Sequence, residues 1–301
     1  MRARVQTVEV DGLPVRLRTL APAGRLRDVL APTVVLVHGI GMSHRSFART
    51  QRALARTHRT VAVDLPGFGG LPPAGRRLQI EELADLVVAA VRTAGAGDLV
   101  VVGQSMGTQV AVEAARRHPG LVTAVVLVGP VVDRARRTLL HQAVDLARDT
   151  LAETPRLNAV VTTDYLRSIR QYVRQLGPML RHRLEDALPT VTQPVLVVRG
   201  DRDPIARRDW ATSLAALAPR GAFVELPGGH HVQERQPQAV ARLVDELRRV
   251  QTLEDPGLAG SAGRADPAGP AGTAGRAEPA PEGDDRGPAS EGDDRGAGAA
   301  P

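Results

Sequence analysis

The chain has 301 residues, 43% hydrophobic and only 2% aromatic, and its net charge of +6 rests on arginine alone because no lysine occurs. The absence of cysteine excludes disulfides, thiolate metal sites and cysteine nucleophiles, and the absence of lysine excludes a phosphate loop ending in Gly-Lys. The arginines fall at helix-surface spacing in stretches such as ARRHPG and RARRTLL with no aromatic platform among them, which favours a solvated surface and no nucleic-acid partner.

No run approaches the ~20 apolar residues that span a bilayer, and MRARVQTVEVDG lacks the apolar stretch of a signal peptide. A soluble cytoplasmic protein without a membrane partner is therefore expected. Residues 3–10 and 14–20 read as two strands around an Asp11-Gly12 turn. PTVVLVHG is the next predicted strand, followed by a helix over about 45–57. RTVAVDLPG and a helix over about 79–93 come next, then DLVVVGQS and a helix over 106–117. TAVVLVGPVV, QPVLVVRGD and AFVELP complete the strands, the last two each followed by a helix. Continuous Val/Leu runs are what a parallel sheet covered on both faces needs. The repeated βα units predict an α/β fold with a doubly wound, mostly parallel sheet of about eight strands.

The expected organisation is a core over 1–133 and 191–250, a helical insertion over 134–190, and a tail over 251–301. The tail holds ten acids and four arginines, almost no large apolar residue, and EGDDRG twice; such a composition predicts disorder. In the insertion, RTLLHQAVDLARDTL and TDYLRSIRQYVRQLGPML have helical periodicity. Leu166, Ile169, Val173 and Leu176 form one stripe, expected to pack at least partly on the core.

One serine draws attention. GQSMG holds Ser105 between Gly103 and Gly107 where a strand turns into a helix. A sharp turn there strains the apex residue, and small neighbours keep strand and helix from colliding. The hydroxyl then stands above the carboxyl edge of the sheet, where open α/β sheets bind ligands, beside a helix N-terminus. A serine hydroxyl needs a base and an orienting carboxylate to act as a nucleophile. Among eight histidines, His58, His118, His141 and His182 lie in arginine-rich helical stretches and read as surface residues, and His44 reads as a capping residue. His230 and His231 differ, for they occupy a glycine-rich loop after AFVELP. One strand earlier, VLVVRGDRDP ends in Asp201 and Asp203. The order Ser, Asp, His thus falls on carboxyl-edge loops.

With these motifs in place, residues 1–250 resemble the α/β-hydrolase superfamily. HGIG resembles its oxyanion loop, DLPGFGG its turn after the fourth strand, GQSMG its nucleophile elbow, GDRDP its acid loop and GGHHVQERQP its histidine loop. The resemblance implies Ser105 as nucleophile, Asp203 as acid, and the Ile40 and Met106 N–H groups as the oxyanion hole. His230, seven residues before Pro237, fits the family spacing and is the expected base, with His231, favoured by counting forward from Pro227, as the alternative. Asp133, after the sixth strand, is a second position for the acid. Asp201 reads as a loop-forming acceptor, and Asp64 as a group tying down its own turn through backbone N–H groups.

At the place of the insertion the family carries a helical cap. Leu139, Leu140, Tyr165, Tyr172 and Met179 from it, with His38, Gly39 and Met42 from the core, are the expected lining of a substrate pocket. The resemblance implies two-step acyl transfer on an ester, thioester or lactone of a small, largely apolar molecule, with no cofactor and no metal. Carbon–carbon bond hydrolysis, acyl transfer and cofactor-free perhydrolysis use the same triad, and a non-catalytic binding protein can keep the fold; these readings stay open. A serine at position 105 argues against the branches that use aspartate there.

Overall fold

The β-branched runs fold as strands because their side chains pack well on a pleated surface. In a computed structural model, residues 2–22, 32–138, 141 and 155–254 are described, with residues 250–254 by their backbone alone. By its contacts the chain divides into Met1–Gly263 and Arg264–Pro301, and every described residue belongs to the first unit. The strands are β1 (Arg4–Val10), β2 (Leu13–Leu20), β3 (Thr33–Val37), β4 (Thr60–Asp64), β5 (Leu99–Gln104), β6 (Val122–Val128), β7 (Val195–Gly200) and β8 (Gly221–Leu226). They form one sheet in the order β1-β2-β4-β3-β5-β6-β7-β8.

The first two strands make the expected hairpin, with Asp11 and Gly12 both at positive φ, 50° and 73°, as a tight Asp-Gly turn requires. β2 pairs antiparallel with β4, and β3 to β8 run parallel. β6 stops at Val128, short of the predicted 132, because Gly129 turns to φ 57° and Pro130 follows.

The helices are α1 (Ala48–Leu54), α2 (Ile80–Thr93), α3 (Met106–Arg117), α4 (Pro155–Arg181), α5 (Leu184–Ala187), α6 (Arg208–Leu217), α7 (Val232–Arg235) and α8 (Pro237–Glu254). The helix expected over 45–57 is a 3-10 turn, His44–Phe47, followed by the shorter α1. Alternate strand residues supply two cores. Val35, Val37, Val63 and Val101 pack under α2, α3 and α6. Val34, Leu36, Val100 and Val102 pack against α1 and α8. The sheet is therefore wound on both faces.

The insertion departs from expectation. Leu166, Ile169 and Val173 are 73%, 51% and 62% exposed. The stripe of α4 that turns inward is instead polar: Asp164, Ser168, Gln171 and Gln175 are buried. Hydrogen bonds account for three of the four, while neither amide atom of Gln171 has a partner. Asp164 accepts from Ser43 Oγ at 2.6 Å and from Arg45 Nη1 at 2.8 Å. Ser168 Oγ donates to the Gly41 carbonyl at 3.2 Å, and Gln175 Nε2 to the Leu78 carbonyl at 2.9 Å. Loop carbonyls and hydroxyls face this part of α4, so polar side chains take its inner face and Leu166, Ile169 and Val173 are left outside, whereas Leu176 of the same stripe packs on the core as expected.

Leu139, Leu140 and most of RTLLHQAVDLARDTL lie outside the described residues, as does 255–301 of the expected tail. α8 itself runs to Glu254, past the expected boundary at residue 250. Among the described residues, no helix is long and apolar enough to cross a membrane.

Candidate active site

Ser105 caps α3 at φ 55° and ψ −123°, a strained conformation for any residue with a side chain. Surrounding structure over-determines it. A Cβ on Gly103 would stand 2.0 Å from the Gly107 carbonyl oxygen, and one on Gly107 would stand 2.2 Å from the Val37 carbonyl oxygen. The Ser105 N–H donates to Val128 O at 3.0 Å, and its carbonyl accepts from Thr108 Oγ1 at 2.6 Å. Met106 is the first residue of α3, so its N–H has no intrahelical acceptor.

The loops after β7 and β8 are built against each other. A Cβ on Gly200 would meet the carbonyl oxygens of Gly229 and Gly228 at 2.3 and 2.4 Å. Asp201 Oδ1 accepts from the Gly228 N–H at 2.8 Å, the loop-forming part expected of it. Asp203 is buried, and its Oδ1 accepts from the Ile205 and Ala206 N–H groups at 2.8 and 2.9 Å. That leaves Oδ2 facing His230 Nδ1 at 2.9 Å. Beneath the loop, buried Arg199 donates to the carbonyls of Asp203 and Ala206 at 3.2 and 2.8 Å. Gly129 also leaves room for the ring, for a Cβ there would come 3.0 Å from His230 Nδ1.

The structure brings His230, not His231, to Asp203. His231 meets the His230 ring edge-on, with centroids 5.4 Å apart. Asp133 is occupied elsewhere: Oδ2 takes both Arg207 Nε and Nη2, at 2.9 and 2.7 Å, and Oδ1 accepts from the Ala135 N–H.

One cavity gathers Ser105, His230 and His231 with Gly39, Ile40, Met42, Tyr165, Tyr172 and Met179. The two tyrosine rings lie 5.0 Å apart, and Tyr165 sits over Gly41, where a Cβ would be 2.7 Å from its ring. His38 is not in the lining. It is fully buried, with Nδ1 against the Gly39 carbonyl at 2.7 Å and Nε2 accepting from the Leu65 N–H at 3.2 Å. Burial holds its pKa below the ordinary histidine range, so it is a neutral structural ring.

Sequence reasoning missed Gln104, Val131, Leu176 and Ile205, which also line the cavity. Gln104 is fully buried, and neither amide atom has a hydrogen-bond partner. Its position directly before Ser105 was the available signal. The enclosed space is about 50 Å³, far below the ~300–1,000 Å³ of ordinary small-molecule sites.

His58 and His182, expected at the surface, are buried instead and bond to Asp245 and Glu113. Among the described residues, Glu81, Glu113 and His182 hold ligand atoms within 4.8 Å of one another, a spacing a metal could use. Both Glu113 oxygens are already engaged, one by Arg116 Nε and Nη2 and the other by His182 Nε2.

Asp64 does not tie down its own turn as expected; it bonds to other segments instead. It accepts from the His44 N–H at 2.6 Å, from His44 Nδ1 and from Arg16 Nη1. Burial alone would raise its carboxyl, but the hydrogen bond and charge of His44, with the His44 N–H, hold it below the ordinary carboxylate range. A depressed folded value contributes stability that is present above the unfolded value of about 3.9 and lost as pH falls through the folded one. Asp64→Asn is therefore expected to melt lower than the parent at pH 7, with the two melting curves converging below about pH 3.9. Equal melting temperatures at pH 7 would remove Asp64 from the stabilising groups.

A family model described as the alpha/beta hydrolase family matches residues 34–243. A 2-(acetamidomethylene)succinate hydrolase of Mesorhizobium japonicum is 24% identical over 240 residues, covering 71% of this chain and 86% of that one. A pimeloyl-[acyl-carrier protein] methyl ester esterase of Nitrosospira multiformis is 27% identical over 232 residues, covering 67% and 88%. The structure of an enol-lactonase from Burkholderia xenovorans superimposes with a TM-score of 0.70 at 22% identity, covering 81% of this chain and all of that one, a likeness of fold.

Proposed function

The chain belongs to the alpha/beta hydrolase family, and from that premise we propose that it is a serine hydrolase cleaving an ester, thioester or lactone of a small, largely apolar molecule. One observation carries the reading: a serine held at positive φ shares a cavity with a histidine whose other ring nitrogen faces a buried carboxylate at 2.9 Å. With Nδ1–H directed to Asp203, Nε2 of His230 keeps its lone pair. His230 takes the Ser105 proton as Oγ attacks the carbonyl. The oxyanion that forms is met by the N–H groups of Ile40 and Met106, donors worth roughly 3–4 kcal/mol each. Collapse expels the alcohol, thiol or ring oxygen, protonated by His230, and leaves an acyl-enzyme that water hydrolyses by the same steps.

Substrate class follows from the lining. Ile40, Met42, Val131, Leu176 and Ile205 offer an apolar bed, and the Gln104 amide supplies one polar contact. A short acyl chain suits this space better than a long one. The relatives named as an ester esterase and an enol-lactonase support carbonyl–oxygen cleavage. The test is labelling by a serine-directed fluorophosphonate, alongside a panel of nitrophenyl esters of increasing chain length. Stoichiometric labelling with the highest kcat/KM on the shorter esters is expected. An unlabelled protein inert to every ester would overturn the reading.

A further inference from the structure

A second cavity, of about 500 Å³, opens between α1 and α8 and shares no lining residue with the Ser105 cavity. Its size is that of an ordinary small-molecule site. Ala53 and Ala241 leave the space between the helices, and four arginines surround it: Arg49 and Arg52 in α1, Arg56 just after it, and Arg242 in α8. Asp245, the only carboxylate of the lining among the described residues, is bonded to His58 Nε2. Arg49 Nη1 donates to the Glu234 carbonyl at 3.0 Å. Among the described residues, Arg52, Arg56 and Arg242 form no ion pair, whereas arginines elsewhere do, as in Arg117–Asp85, Arg207–Asp133 and Arg208–Glu225.

Four like charges around one groove repel each other unless an anion enters. Pro237 and Gln238, the first residues of the 18-residue α8, also line the groove. Its helix N-terminus adds positive potential to the same space. Guanidinium forks match phosphate oxygens in geometry as well as charge. Among the described residues no aromatic side chain lines the groove, so they give it no platform for stacking bases.

We propose that this groove is a binding site for a compact polyanion of the phosphate class, either free pyrophosphate or the diphosphate end of a larger metabolite. It stands independently of the reaction at Ser105. Calorimetric titration of the full chain with inorganic pyrophosphate, and in a second arm with ADP, at constant ionic strength tests it. Saturable one-to-one binding is expected, weakening as salt rises. Tighter ADP assigns the organic diphosphate and tighter pyrophosphate the free anion. Arg52 and Arg242 are exposed, so the double variant Arg52→Ser/Arg242→Ser should melt like the parent without ligand and bind at least ~10-fold more weakly. Arg167→Ser/Arg170→Ser on the outer face of α4 should bind like the parent. The proposal fails if neither anion saturates, if the groove variant keeps parental affinity, or if the α4 variant weakens binding equally. It also fails if a short DNA duplex binds through Arg52 and Arg242 while pyrophosphate does not.

Discussion

Ser105→Ala is expected to abolish fluorophosphonate labelling and to lower esterase kcat/KM at least ~10³-fold, the scale on which loss of a triad nucleophile acts. The substitution removes one oxygen and little else. The Cβ remains, the backbone still occupies φ 55°, and its bonds to Val128 and Thr108 use the N–H and carbonyl alone. Melting temperature should therefore stay near that of the parent, which separates lost chemistry from lost fold. KM should change little, since the apolar bed is untouched. Parental turnover in this variant would exclude Ser105 as the nucleophile and the acyl-enzyme with it.

Asp203→Asn is expected to cost ~10³- to 10⁴-fold in kcat while leaving the protein folded. The reason lies in the two N–H groups of Ile205 and Ala206, which both point at one oxygen. In the variant they hold the amide oxygen, so the amide NH₂ must face His230. His230 Nδ1 then becomes an acceptor, the ring proton moves to Nε2, and the nitrogen nearest the cavity can no longer take a proton from Ser105. His230→Ala should match this loss. His231→Ala should cost far less, because that ring touches His230 by its edge and no bond to Asp203 is lost. Asp133→Asn should weaken only the tie to Arg207. If instead His231→Ala or Asp133→Asn were the inactive variant, the base or the acid would move to that residue. Steady-state kinetics on one short nitrophenyl ester distinguishes these outcomes.

The strands, their order along the chain and the pinched serine were all legible in the sequence. Four- and five-residue Val/Leu runs bury on both faces whatever surrounds them, and Gly103 and Gly107 leave room that no other residue leaves. Loops after β5, β7 and β8 were legible as neighbours because parallel strands put their carboxyl ends on one edge. The spacing to Pro237 pointed to His230 over the adjacent His231, but the contact itself was not legible, because neighbouring loop residues point in different directions and only the packed loops bring one ring to the carboxylate. Gly129 against the ring and Gly200 against Gly228 and Gly229 leave that arrangement room, and His230 rather than His231 meets Asp203.

The insertion shows the same limit more sharply. Helical periodicity located α4 correctly and its apolar stripe identified a face, but the partner surface decides which face turns inward. Here the surface offers the Ser43 hydroxyl, the Gly41 and Leu78 carbonyls and the Arg45 guanidinium. Buried groups of that kind are costly unless hydrogen-bonded, so Asp164, Ser168 and Gln175 turn inward to meet them and Leu166, Ile169 and Val173 remain outside, while Leu176 packs on the core. Sequence by itself determined what each segment would become, since local pattern and sterics suffice for that. Tertiary structure decided which side chains meet, because that depends on the groups each neighbouring element presents.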